Sequence, residues 1–218
     1  MFRSRVAQTV VAPLTLAGML WAAPVFAEMT PDVISIQTQW AEINYKLDQD
    51  DQEDRYQALL SECEQLTEPK QASVESVIWC GIVKSTYAGY AGGLGALKYA
   101  KMARHDFERA IELDGQALHG SAYTSLGTLY SKVPGWPLGF GDDKKAKKML
   151  QTGVELNPEG IDSNYFYAEF LFEEGEKEPA LEYLERAQQA APRPGRETAD
   201  AGRRAEIDAL RKEIQSHS

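Results

Sequence analysis

Small and apolar residues recur in the second half of this chain at an interval of 34 positions: Ala146 and Ala180, Leu150 and Leu184, Gly153 and Ala187, Pro158 and Pro192. A fixed period of that length belongs to stacked helical hairpins, because a single hairpin cannot bury its own apolar face. The stretch Glu178 to Ala191 shows what the repeated unit is. Ala180, Leu181, Leu184, Ala187 and Ala191 fall on one helical face, with Glu182, Glu185 and Arg186 elsewhere. Pro179 suits a first helical turn, where a missing N–H costs little, and Pro192 ends the run. Ala180 and Ala187 are small enough for two helices to approach closely, while Leu184 fills the space between them. Helical periodicity continues over nearly the whole chain without strand alternation, so an all-α fold is expected.

Upstream, Tyr123-x-x-Leu126-Gly127-x-x-Tyr130 supplies the first-helix half of the unit. At these helix-defining positions the chain resembles the tetratricopeptide repeat (TPR), and the resemblance implies an α-α superhelix. Trp40-x-x-Ile43-Asn44-x-x-Leu47, followed by Leu60, Cys63 and Pro69, reads as an earlier copy, with Tyr56 where a small residue is expected. Another copy has Ala103, Phe107 and Ala110 on its second helix. Its first helix, near Ser73 to Tyr90, is followed by Gly92, Gly93 and Gly95, read as a longer connection than usual. The expected hairpins span about 37–70, 71–116, 117–158 and 159–192. A capping helix follows at about 197–215, with Ala201, Ala205, Ile207, Leu210 and Ile214 as its apolar side.

The N-terminus reads differently. Arg3 and Arg5 precede an uncharged run from Val6 through Ala27, and Val25-Phe26-Ala27 suits cleavage ahead of Glu28. Residues 1–27 are therefore expected to be a cleaved export signal, leaving 28–218 as a single helical-repeat domain in the periplasm. A retained membrane anchor is the competing reading, disfavoured by Pro13 and Pro24. Cleavage would remove two arginines and no acid, taking the net charge from −10 to −12. Such an acidic chain argues against nucleic-acid binding, which needs a basic surface. Export also gives meaning to Cys63 and Cys80, the two cysteines of the chain. In the repeat architecture they fall on neighbouring antiparallel helices, so a structural disulfide is expected, with two buried thiols as the alternative.

Signatures of catalysis are missing from the sequence. His105, His119 and His217 form no metal-binding spacing, and no nucleophile elbow occurs. Gly92-Gly93-x-Gly95 and Gly139-x-Gly141-Asp142-Asp143-Lys144 lack the context of phosphate-binding loops; Asp142 or Asp143 is read as a helix cap. Asp48, Asp50, Asp51, Glu53 and Asp54 lack the pattern of a calcium loop and read as a solvated turn. The expectation is a non-enzyme with no cofactor and no metal.

The string Val133-Pro134-Gly135-Trp136-Pro137-Leu138-Gly139-Phe140-Gly141-Asp142 predicts an ordered loop, with Trp136 and Phe140 pinning it to neighbouring helices. It is also a candidate border for a ligand cavity or a partner surface. Together with Leu126-Gly127-Thr128-Leu129-Tyr130, Asn157-Pro158-Glu159-Gly160-Ile161-Asp162, Asn164-Tyr165-Phe166-Tyr167, Arg193-Pro194-Gly195-Arg196 and Asp200-Ala201-Gly202-Arg203-Arg204, this loop is similar to exported bacterial TPR proteins of the TRAP-transporter TatT type. That resemblance covers about 118–208. It implies a helical periplasmic partner of a substrate-binding protein, with an internal ligand channel. Repeat geometry directs Tyr45, Thr124, Thr128, Ser131, Tyr165, Glu169 and Phe172 toward the groove, and these with Trp136 and Phe140 are the candidate contact residues. The expected partner is a protein, a peptide or a small partly apolar ligand. An adaptor for envelope or cell-wall assembly is the alternative function.

Overall fold

A computed structural model of the chain describes residues 29–68 and 72–216, apart from the side chain of Leu94. The expected export signal, at 1–27, lies outside the described residues. The helices are α1 (Pro31–Lys46), α2 (Gln49–Thr67), α3 (Val74–Ala91), α4 (Gly93–Asp114), α5 (Ala117–Lys132), α6 (Asp143–Leu156), α7 (Ile161–Glu173), α8 (Lys177–Gln189) and α9 (Glu197–Ser216). Among the described residues there is no β-strand, only an isolated bridge between Gly135 and Gly141. The architecture is the all-α, TPR-like superhelix expected from the repeat.

Side-chain caps begin α1, α3 and α6. The Ser73 hydroxyl accepts from Ser76 N at 3.2 Å, and the Asp142 carboxylate accepts from Lys145 N at 3.1 Å. Thr30 caps α1, and Pro31 stands in its first turn, so the first hairpin begins ahead of the expected residue 37.

Within hairpins the small residues set the spacing. A Cβ on Gly127 would lie 2.7 Å from Leu150 Cγ and 2.9 Å from its backbone nitrogen. Ala146, Leu150, Ala180, Leu184 and Ala187 are all buried, so the 34-residue interval marks equivalent positions in two successive units. Each such Leu contributes about 1.5–3 kcal/mol by leaving water. In the second unit Phe107 takes the large position, and Gly81 makes room for its ring: a Cβ there would come within 2.6 Å of it.

Three expectations are corrected. The α3–α4 connection is one residue rather than long: Gly92 (φ 60°) links the helices, and Gly93 (φ 57°) already begins α4. Left-handed backbone at both positions makes the tight reversal, which glycine allows without a Cβ penalty. On α9 the buried face is Ala199, Asp200, Arg203, Ile207, Leu210 and Ile214, whereas Ala201 and Ala205 are exposed. The helix is rotated because its packed stripe carries charged side chains. Trp136 does not pin its loop; it is 89% exposed. Phe140 does, meeting the Tyr130 ring edge-on at 5.9 Å beneath the Arg104 guanidinium, 4.5 Å away. The backbone explains the difference. Gly141 N donates to Pro134 O at 3.0 Å and Asp142 N to Tyr130 O at 3.0 Å. The loop base is thereby tied down, and residues 136–138 are left at the outer tip.

The Cys63–Cys80 disulfide joins α2 to α3, with Cα atoms 5.3 Å apart. Tertiary packing adds a feature beyond a stack of hairpins. Helix α1 packs on α3, α3 on α5, α5 on α7, α7 on α9, and α9 returns to α1. Five helices therefore close a ring, and α2, α4, α6 and α8 pack outside it.

Candidate functional site

The ring encloses two cavities whose walls show how its helices run. The first, about 250 Å³, is lined by Gln37 on α1, Trp79 and Ile82 on α3, Ser121 and Thr124 on α5, and Asp162 on α7. The second, about 660 Å³, takes residues further along the same helices: Tyr45, Gly89, Lys132 and Glu169. Trp40, Ser85, Thr86, Thr128, Phe166 and Arg203 line both. Helices α1, α3, α5 and α7 thus run in the same direction, with their N-terminal ends at the smaller space and their C-terminal ends toward the larger, while α9 meets the two spaces along its N-terminal half, at Arg203 and Glu206. Helix N-termini carry partial positive charge, so the two ends differ electrostatically before side chains are considered.

Side chains add to that difference. Around the N-terminal end stand Arg193, Arg196 and Arg203. Asp162 accepts from Arg193 Nη1 at 2.6 Å and from Arg203 Nε at 2.9 Å. Arg193 also bonds Asp200 through Nε at 2.7 Å, and Arg203 reaches Glu206 at 2.5 Å. Burial alone would raise the pKa of Asp162, but the charges of Arg203 and then Arg193 hold it down to about 2. Arg203 lies 4.4 Å from the ring centroids of both Tyr165 and Phe166, so its flat faces are covered by aromatic carbon.

This network closes the ring. It joins the start of α7, the 193–196 segment and the buried face of α9. Across the seam Tyr45 on α1 donates to Glu206, and burial pushes the Tyr45 hydroxyl up to about 12. A Cβ on Gly202 would overlap the Tyr45 ring, so glycine at this position lets α9 reach α1.

The sequence-predicted residues divide between cavity, seam and elsewhere. Thr124 is buried in the first cavity, and Thr128 lines both. Tyr165 and Glu169 line the second, where Glu169 pairs with Lys132 at 3.0 Å. Tyr45 lines the second cavity at the seam. Ser131 is half-buried and donates to Thr128 O at 2.8 Å, away from both linings. Phe172 is half-buried against the main hydrophobic cluster, and Phe140 belongs to the loop base. Trp136 projects outward, although its loop neighbours Pro134 and Leu138 line the second cavity.

Sequence reasoning did not single out Trp40, Trp79, Arg193, Arg196, Arg203 or Asp162 as site residues. One signal was present: Arg203 falls on the stripe Ala199–Arg203–Ile207, four residues from an apolar neighbour on each side. A charge embedded in a buried helical stripe needs a partner or a cavity. A second signal is conformational and invisible in sequence. Leu118 (φ 48°) and His119 (φ 55°), at the start of α5, adopt left-handed backbone and line the first cavity. Non-glycine residues in that region cost about 1–3 kcal/mol each and cluster at binding sites.

No curated protein matches the chain. Residues 161–194 match the tetratricopeptide repeat family, a span running from the start of α7 past the end of α8. The matched unit is the hairpin whose 34-residue echo lies in α5–α6, so one hairpin is similar to a tetratricopeptide repeat within an all-α superhelix of TPR-like hairpins.

Proposed function

We propose that this protein is a non-enzymatic binding protein that holds a small, partly apolar ligand inside its helix ring and presents its outer face to a protein partner. The observation that carries this reading is the closed ring of α1, α3, α5, α7 and α9 around two adjoining cavities. A TPR scaffold that only docks proteins keeps an open concave groove; here α9 closes the groove, so the interior favours a small guest. Aromatic walls with a few convergent polar groups are the usual make-up of such a site.

In the finer form of the proposal the chain is exported through residues 1–27 and works in the periplasm as an accessory of TRAP-type solute uptake. There it docks with a substrate-binding protein. Support comes from the charge pattern of residues 1–27, the Cys63–Cys80 disulfide suited to an oxidising compartment, and the TatT-type likeness of the 133–142 loop. The exposed Trp136 and Leu138, beside the mouth of the larger cavity, are the choice for partner contact.

Affinity purification from an exported fraction tests both parts. The expected result is recovery of a solute receptor, with the protein itself beginning at Glu28. Recovery of cytoplasmic partners by a chain that retains residues 1–27 would refute the finer form. Recovery of envelope-assembly proteins would refute the uptake role.

A further inference from the structure

Arg196 differs from the two arginines beside it. Arg193 and Arg203 are each bound to two carboxylates, whereas among the described residues no carboxylate oxygen lies within 4 Å of the Arg196 guanidinium. Its Nε is buried without a hydrogen-bond acceptor. The group sits over the indole of Trp79, 4.8 Å from the ring centroid, and Trp79 Nε1 is likewise buried without an acceptor. Both side chains line the smaller cavity. Two orphaned N–H donors stacked on one another are rare in a folded chain, where buried donors find acceptors.

The surroundings say which acceptor is wanted. Asp162 is the acid among the lining residues, and Arg193 and Arg203 already hold it. Arg196 therefore adds a guanidinium with no ion pair of its own at the end where α1, α3, α5 and α7 have their N-termini. Around it stand the hydroxyl residues Ser121, Thr124 and Ser163, and the walls beyond are apolar: Trp40, Ile82 and Phe166. A space of about 250 Å³ admits a small molecule and excludes a helix or a folded segment. It shares Trp40, Thr128, Phe166 and Arg203 as wall residues with the larger cavity, which has room for an apolar body.

Resting on the reading of the ring as a ligand cavity, we infer that its N-terminal end is a carboxylate-recognition site. Arg196 and Trp79 donate to the head of a small amphiphilic carboxylate whose apolar part extends along Trp40 and Phe166 toward the larger space. A guanidinium fork suits the two oxygens of a carboxylate, and its stacking on the indole holds the fork in one orientation.

Calorimetric titration of the purified protein with hexanoate, octanoate and phenylacetate tests the inference against their neutral counterparts hexanol, octanol and phenylacetamide. The acids are expected to bind at least about tenfold more tightly than the matched neutral compounds, the size expected of a hydrogen-bonded charge in a shielded site. Arg196→Gln is expected to abolish that preference without lowering Tm, because Arg196 holds no carboxylate whose loss would unfold the chain. Arg196→Lys keeps the charge without the fork and is expected to fall between the two. Equal binding of acids and neutral compounds, or full acid preference in Arg196→Gln, overturns the carboxylate assignment and leaves the cavity reading standing. Binding of none of the six overturns both.

Discussion

Replacing Asp162 by Asn removes the anion shared by Arg193 and Arg203 while keeping the size of the side chain. Breaking a fully buried ion pair costs about 3–5 kcal/mol, because it strands a charge. Here each arginine keeps a second carboxylate, and the Asp162 side chain is 35% exposed, so the cost falls to about 2 kcal/mol. Proton linkage gives a similar size. A pKa of about 2 in the folded chain, against 3.8 in its absence, is worth about 2.5 kcal/mol before solvent screening and about 1–2 kcal/mol after it. Since the folded-state pKa is depressed, this stabilisation is fully present above about pH 4 and lost as pH falls toward 2. Urea unfolding of wild type and Asp162→Asn should therefore differ by about 2 kcal/mol at neutral pH, by roughly half that near pH 3, and by little near pH 2. Comparing the two proteins at each pH cancels the titration of every other carboxylate. A difference below about 0.5 kcal/mol at neutral pH, or one that persists unchanged to pH 2, would refute the reasoning.

Three further outcomes are expected. Gly202→Ala adds a Cβ into the Tyr45 ring and should destabilise the protein by about 1 kcal/mol net, the overpacking exceeding the gain in helix propensity. A rise in Tm would show that α9 does not seat against α1. Reducing the disulfide, which spans 17 residues, should lower urea stability by about 3 kcal/mol. An identical urea midpoint with and without reductant would count against the α2–α3 link. Trp136→Ala should leave thermal stability within about 0.5 kcal/mol, since the ring is 89% exposed. A larger loss in the melt would mean that the side chain packs somewhere after all.

Much of the architecture could be read locally. The Leu150/Leu184 and Gly153/Ala187 pairs report helix-to-helix distance, which depends on side-chain size at a few positions. The disulfide was legible for the same reason: once hairpins are stacked, the second helix of one unit must neighbour the first helix of the next. Thr124, Thr128, Tyr165 and Glu169 could be directed inward from helical phase alone. The face of α9 could not, because its stripe mixes Ala199 and Ile207 with Asp200 and Arg203, whose burial depends on partners elsewhere. Nor could Trp136, whose orientation follows from hydrogen bonds at the base of its loop.

The sequence by itself determined the unit: which residues are helical, how closely paired helices approach, and which cysteines meet. Those properties rest on periodicity and side-chain volume within a few tens of residues. Ring closure belongs to the tertiary structure alone. It depends on the small rotation between successive hairpins accumulating until α9 reaches α1, on Gly202 admitting Tyr45, and on Asp162 meeting arginines 31 and 41 positions away. No local pattern carries that sum, and the cavity with its unpaired Arg196 exists only because the ring closes.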